Sequence, residues 1–237
     1  MQRSLLSQRV YDELYKAMLT DRLGPGDRLN RKQVAEDCGV SVAPVLEAMT
    51  QLEWEGFLVT SPRRGTMVRN VTASQVLGRF HVRIAIESQA ARIYAGPRLV
   101  ADAARIRELA AALDATPRRT WESVEAEMRF HRGLVDLAGN EVLSDTFNQV
   151  MRFSLYYAAK RVLPQGPPRP PREHIRLVER LLQCGPEEAD REVRSHLEPW
   201  IELLTPLAAR EPKEIPRVDT RGRPKRLKLR RKIRTTP

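Results

Sequence analysis

Cysteine is nearly absent from this chain of 237 residues: Cys38 and Cys184 are the only two, far apart and outside any Cys-x-x-Cys spacing. That scarcity excludes a disulfide framework and a zinc ribbon, and it leaves both thiols as reduced packing residues. Aromatic residues make up 5% of the chain, and no apolar run approaches the roughly 18 residues of a membrane helix. The N-terminus lacks the charged-then-apolar profile of a secretory signal, so the cytoplasm is the expected compartment and no membrane is an expected partner. Acidic charge is also in short supply, with 30 Asp and Glu against 41 Lys and Arg, a surplus of +11. The surplus is unevenly spread, because residues 217–237 hold ten Lys or Arg and one acid, Asp219, and so carry +9 of it. The high net charge therefore describes a tail, and it says little about the folded body.

Helical periodicity dominates what is present, and punctuation divides the chain into 1–70, 71–207 and 208–237. The third stretch loses apolar periodicity, which predicts disorder. In the first, Val10, Leu14, Ala17 and Met18 predict a helix over residues 5–22, stopped by Leu23-Gly24-Pro25-Gly26-Asp27. Asn30 is placed to cap a short helix over Arg31–Cys38 that Gly39 closes, and Ser41 to cap a third over residues 42–56 with Val45, Met49 and Leu52 facing inward. Two β-prone runs, Phe57–Thr60 and Thr66–Val68, flank Ser61-Pro62-Arg63-Arg64-Gly65 and predict a hairpin with a basic tip. The expected fold class is mainly α: an N-terminal winged helix-turn-helix of three helices plus a hairpin wing, followed by an all-α bundle.

Gly24-Pro25-Gly26-Asp27-Arg28-Leu29, Val34-Ala35-Glu36, Gly39-Val40-Ser41, Pro44-Val45, Glu47-Ala48, Glu55-Gly56 and Arg64-Gly65 resemble the signature of GntR-family repressors across residues 8–69. The resemblance implies double-stranded DNA as a partner. A recognition helix enters the major groove near its N-terminus, which singles out Ser41, Val42, Ala43, Pro44 and Leu46, with Lys32 reaching from the preceding helix. The wing adds Arg63, Arg64 and Gly65, placed for a phosphate backbone or a narrow minor groove. Family members carry arginine at the positions of Val42 and Leu46, so this chain departs from the pattern where specificity is expected. Those two residues either touch thymine methyls or have no base-reading role.

Three of the four histidines fall in the second stretch. On a helix, Glu127 and His131 are one turn apart and share a face with Val124, Leu134, Val135 and Ala138. His174 lies on a face with Leu177, Val178 and Leu181, and His196 with Val193, Trp200 and Leu203. A single inward histidine is ordinarily a core residue bonded to a neighbour. Three, with an inward carboxylate, are costly to bury separately, and a shared divalent transition metal satisfies all four; zinc, nickel, iron and manganese each accept such a set. Glu127-x-x-Phe130-His131, Ala138-Gly139-Asn140, Glu173-His174 and His196-Leu197 further resemble the FCD effector domain of FadR-type GntR regulators over residues 75–205. That family has aspartate where Glu127 stands. Arg83-x-x-x-Glu87 resembles its effector arginine, and Arg83 is either paired with Glu87 or open to an anion. Gly139-Asn140 most simply ends a helix, with Asn140 alternatively an effector contact.

These features together imply a regulator, a repressor by resemblance, whose homodimer binds a palindromic operator and responds to a small carboxylate beside a metal. Two other classes compete. A carboxylate with three histidines also suits a metalloenzyme, although no separate nucleophile or acid-base motif accompanies it. The tail, where Gly222-Arg223-Pro224 resembles an AT-hook, suits an architectural nucleic-acid binder, or else a solvated tail adding salt-dependent phosphate attraction.

Overall fold

The structure is a computed structural model, and it describes residues 5–62, 65–117, 120–157 and 172–210. The chain divides into two compact units, the first reaching Val71 and the second beginning at Thr72. Arg63, Arg64 and the basic stretch from residue 211 onward lie outside the described residues.

The first unit contains α1 (Leu5–Leu19), β1 (Arg28–Leu29), α2 (Arg31–Cys38), α3 (Val42–Trp54), β2 (Leu58–Ser61) and β3 (Gly65–Val68). Helix α1 ends earlier than residue 22, because Asp21 takes a positive φ of 57° and the Leu23 amide turns back to the Ala17 carbonyl at 3.0 Å. Helix α2 has the expected caps: Asn30 Oδ1 accepts from the amides of Lys32 and Gln33, and Gly39 is left-handed at φ 65°. Ser41 stands at the N-cap of α3 with extended backbone, yet its hydroxyl makes no capping hydrogen bond. The wing is a three-stranded antiparallel sheet in the order β1-β3-β2, one strand more than the expected hairpin. Val10, Tyr11, Leu14 and Met18 of α1 are buried, as are Val45, Met49 and Leu52 of α3 and Phe57 before β2. The Tyr11 hydroxyl donates to the buried carboxylate of Glu55, which Gln51 also engages.

The second unit is all helical among the described residues: α4 (Ala73–Tyr94), α5 (Pro97–Ala101), α6 (Ala103–Ala115), α7 (Trp121–Asp136), α8 (Glu141–Tyr157), α9 (Glu173–Leu181) and α10 (Pro186–Arg210). Thr72 and Gln75 form a reciprocal capping box that starts α4. Helix α4 packs against α7, α8 and α10, and α6 packs against α7 and α9. A core of Phe80, Ile106, Phe130, Leu134, Phe147, Leu177, Leu181 and Leu197 fills the space between these helices. Helix α10 continues to Arg210, three residues beyond the boundary read at 207. No helix among the described residues is long and apolar enough to cross a membrane.

Candidate functional site

Helix α7 carries Glu127 and His131 one turn apart on its apolar face, α9 brings His174 in its first turn, and α10 brings His196. The three imidazoles converge, with ring centroids 5.9 Å apart for His131 and His174, 5.6 Å for His131 and His196, and 5.1 Å for His174 and His196. One ring nitrogen from each lies within 4.8 Å of the others, close enough to share one ion. The edge of Phe130 closes on His131 and His174 at 5.0 and 5.1 Å. Both of these histidines are buried.

A carboxylate stands behind each ring. His131 Nδ1 donates to Glu87 Oε2 at 2.7 Å, and His174 Nδ1 donates to Asp114 Oδ1 at 2.7 Å. Asp114 also accepts the amides of His174 and Ile175 at the start of α9, which fixes that helix end against α6. His196 Nδ1 is 3.9 Å from Glu173 Oε1. A carboxylate on Nδ1 keeps the proton there and turns the Nε2 lone pair toward an ion, the orientation that metal-binding histidines need. His131 Nε2 fits that test. It is buried with no aligned hydrogen-bond partner, although Glu127 Oε1 lies 3.3 Å away.

The electrostatics follow from this crowding. Burial pushes the Glu87 carboxyl up, but the charges of His131 and Arg83 outweigh it and hold it at about 2. Burial likewise opposes ionisation of Glu127, and the adjacent His131, then His174 and Arg83, bring it well below the usual carboxylate range. Burial lowers His131 while Glu87 raises it, with a net rise. His196 is driven well below its ordinary value by burial and by the charges of His131 and His174, so it stands as a neutral imidazole. Burial raises the Asp114 carboxyl, and the hydrogen bond from the His174 ring, the amides of Ile175 and His174 and the charge of His174 together bring it below its ordinary value.

Arg83 extends from α4 beside this cluster and is 1% exposed. Its Nε donates to Glu87 Oε1 at 2.6 Å, so the pairing expected from the i, i+4 spacing is present. Nη2 is buried without a hydrogen-bond partner, 4.0 Å from Glu127 Oε1. The pairing read from the sequence therefore occupies Nε, and Nη2 takes no part in it. The Phe80 ring lies 5.4 Å from the Arg83 guanidinium and stacks on Trp200 at 5.9 Å.

Two expected site residues belong elsewhere. Asn140 is exposed at the N-cap of α8, where its Oδ1 accepts the amides of Val142 and Leu143, so it does not join the buried cluster. Its neighbour Gly139 is left-handed at φ 65°, as helix termination requires. Pro44 is buried with Val45 and Ala48 on the inner side of α3, away from the exposed row of Val42, Ala43 and Leu46. Lys32, Ser41, Val42, Ala43 and Leu46 are exposed. Gly65, exposed at the start of β3, needs glycine for its φ of 75° and not for space. Asp114 was missed in the sequence; its one signal is the i, i+4 spacing to the buried Ala110.

A winged helix-turn-helix in one chain with a helical unit built around buried polar groups defines the class of DNA-binding transcription regulators. The chain belongs to the gntR family of bacterial regulatory proteins, matched over residues 6–68, and its second unit is an FCD domain, matched over residues 79–199. This combination accords with the FadR-type subfamily. The HTH-type transcriptional regulator YdhC of Bacillus subtilis (strain 168) is 27% identical over 203 residues, covering 79% of this chain and 86% of YdhC. A GntR transcriptional regulator from Rhodococcus sp. RHA1 shares the fold with a TM-score of 0.66 at 20% identity, over 84% of this chain and 97% of that one. E. coli McbR/YncC does so with a TM-score of 0.65 at 22% identity, over 86% and 98%.

Proposed function

We propose that this chain is an effector-responsive repressor whose homodimer binds a palindromic duplex operator. Residues 1–70 would supply the DNA contacts, with Lys32, Ser41, Val42, Ala43 and Leu46 facing the major groove and Arg63, Arg64 and Gly65 forming the wing tip. Residues 71–207 would bind a small carboxylate beside a divalent transition metal held by His131, His174 and His196, with Glu127 as the carboxylate ligand. The supporting observation is that two buried groups without a hydrogen bond, His131 Nε2 and Arg83 Nη2, both beside Glu127, are joined through one carboxylate, since Glu87 holds the other nitrogen of each.

A bound zinc, nickel, iron or manganese ion would supply Lewis-acid attraction for an anionic ligand. The protein's own part is orientation. Glu87 fixes the tautomer of His131 and the direction of Arg83 with its two oxygens, so anything that shifts the arginine is felt by the histidine. Arg83 Nη2 offers a charge-assisted hydrogen bond to a carboxylate in a water-poor setting. Coupling to DNA requires the carboxylate to prefer one of two dimer states, and its preference sets the size of the response. We assign the cluster no catalytic role.

The test is footprinting of the full-length protein on a duplex operator obtained by selection, with and without a panel of small carboxylates, alongside metal analysis. Arg83→Met is expected to retain metal and operator occupancy while losing the response to carboxylate. Operator occupancy that ignores both metal removal and every carboxylate, or turnover of a carboxylate by the purified protein, would overturn the reading.

A further inference from the structure

The recognition helix α3 is short of groups that hydrogen-bond to bases. Over Val42–Trp54 it has no Lys, Arg, His or Asn, and its one amide, Gln51, already donates to Glu55 Oε1 at 2.6 Å. In the first two turns the outward residues are Val42, Ala43, Leu46 and Glu47, with Thr50 a turn further along the same row. Val42 and Leu46 are each 42% exposed and lie one turn apart, so their side chains form a single apolar ridge. On the helical wheel the ridge borders the stripe of buried Val45, Met49 and Leu52, and its two side chains, unlike that stripe, stand open to solvent.

Each base pair offers the major groove hydrogen-bond donors and acceptors, and thymine alone adds an apolar feature, its C5 methyl. Guanine read by a bidentate cation and adenine read by a free amide are both beyond α3. Glu47 offers only acceptors, which repel the O6 and N7 edge of guanine. Resting on the operator-binding reading above, we infer that the operator half-site is recognised through thymine methyls packed against Val42 and Leu46, with affinity supplied by phosphate contacts and specificity by apolar shape. Ser41, whose hydroxyl is not spent on capping, and Lys32 are then left to position the helix on the backbone.

The experiment uses the full-length protein and a random-sequence duplex library. The enriched half-site is expected to contain thymines, and replacing each by deoxyuridine removes one methyl and nothing else. A contacted methyl is expected to cost about fourfold in affinity, the equivalent of one buried methylene. Val42→Ala and Leu46→Ala, exposed positions whose truncation leaves the core intact, are expected to bind more weakly and to become indifferent to the uracil at the position each one touches. A defined motif in which every thymine tolerates deoxyuridine overturns the inference while operator binding stands. A library that yields no motif overturns operator binding and the inference with it.

Discussion

Glu87 does two jobs with two oxygens: one accepts from Arg83 and the other from His131, inside the core of the second unit. Replacing it with glutamine keeps the volume but removes the charge, and the amide satisfies at most one of those donors as an acceptor. Glu87→Gln is therefore expected to weaken metal binding by about 10- to 100-fold, the usual cost of losing a group that orients a ligand. It should also lower the melting temperature, because Arg83 stays buried and loses the carboxylate in direct contact with it, keeping only Glu127 at 4.0 Å. Titration of metal into the stripped variant and a thermal melt check both. A residue of the opposite kind is Cys38. Burial first, then the charges of Glu13 and Asp37, push its thiol up to about 11 from an ordinary 9.0, with Arg9 opposing. Thiolate is the nucleophile and forms as pH rises, so the folded chain should alkylate at Cys38 about 100-fold more slowly than the unfolded chain at pH 8, and faster with each pH unit up to about 11. Mass spectrometry of iodoacetamide-treated protein reads this, and equal rates in the two states would contradict the packing around α2.

At the scale of elements, the two caps of the helix-turn-helix make opposite predictions. Asn30 holds two amides of α2, so Asn30→Ala is expected to cost about 1 kcal/mol of stability. Ser41 occupies the equivalent position on α3 without a capping bond, so Ser41→Ala should leave stability within a few tenths of a kcal/mol while weakening DNA binding. Chemical denaturation and operator titration separate the two. Helix α2 was fully legible in the sequence because both of its ends are set by side chains within the segment. Strand β1 was not, since two residues carry no period and the strand exists only by pairing with Met67 and Thr66 of β3. Pro44 was misread for a related reason. Position in the first turn suggested an outward residue, whereas the buried face of α3 is broad enough to take Pro44 with Ala48 beside the Val45, Met49 and Leu52 stripe.

Across the whole molecule, the histidines were legible because each rides an apolar stripe of its own helix, and packing those stripes together gathers the three imidazoles into one cluster. What completes them was not, because the Asp114 bond to His174 spans 60 residues and leaves no local trace. The same long spans make the cluster a staple. His131, His174 and His196 lie on three separate helices, so an ion shared among them would close large loops of the chain and bind the folded unit far better than the unfolded one. Such a ligand stabilises by mass action, roughly 2.7 kcal/mol at a hundredfold excess over its dissociation constant. For a chain of this size that corresponds to a rise in melting temperature of roughly 5–10 °C. Full-length protein stripped with a chelator and melted with and without added zinc should show that rise, and His174→Ala should abolish it. The variant loses a ring that packs against Phe130 and His196, so its own melting point without metal is expected to fall as well, and the diagnostic quantity is the difference that metal makes. If stripped wild-type and His174→Ala gain equally from zinc, the ion binds elsewhere and the three-histidine assignment is wrong.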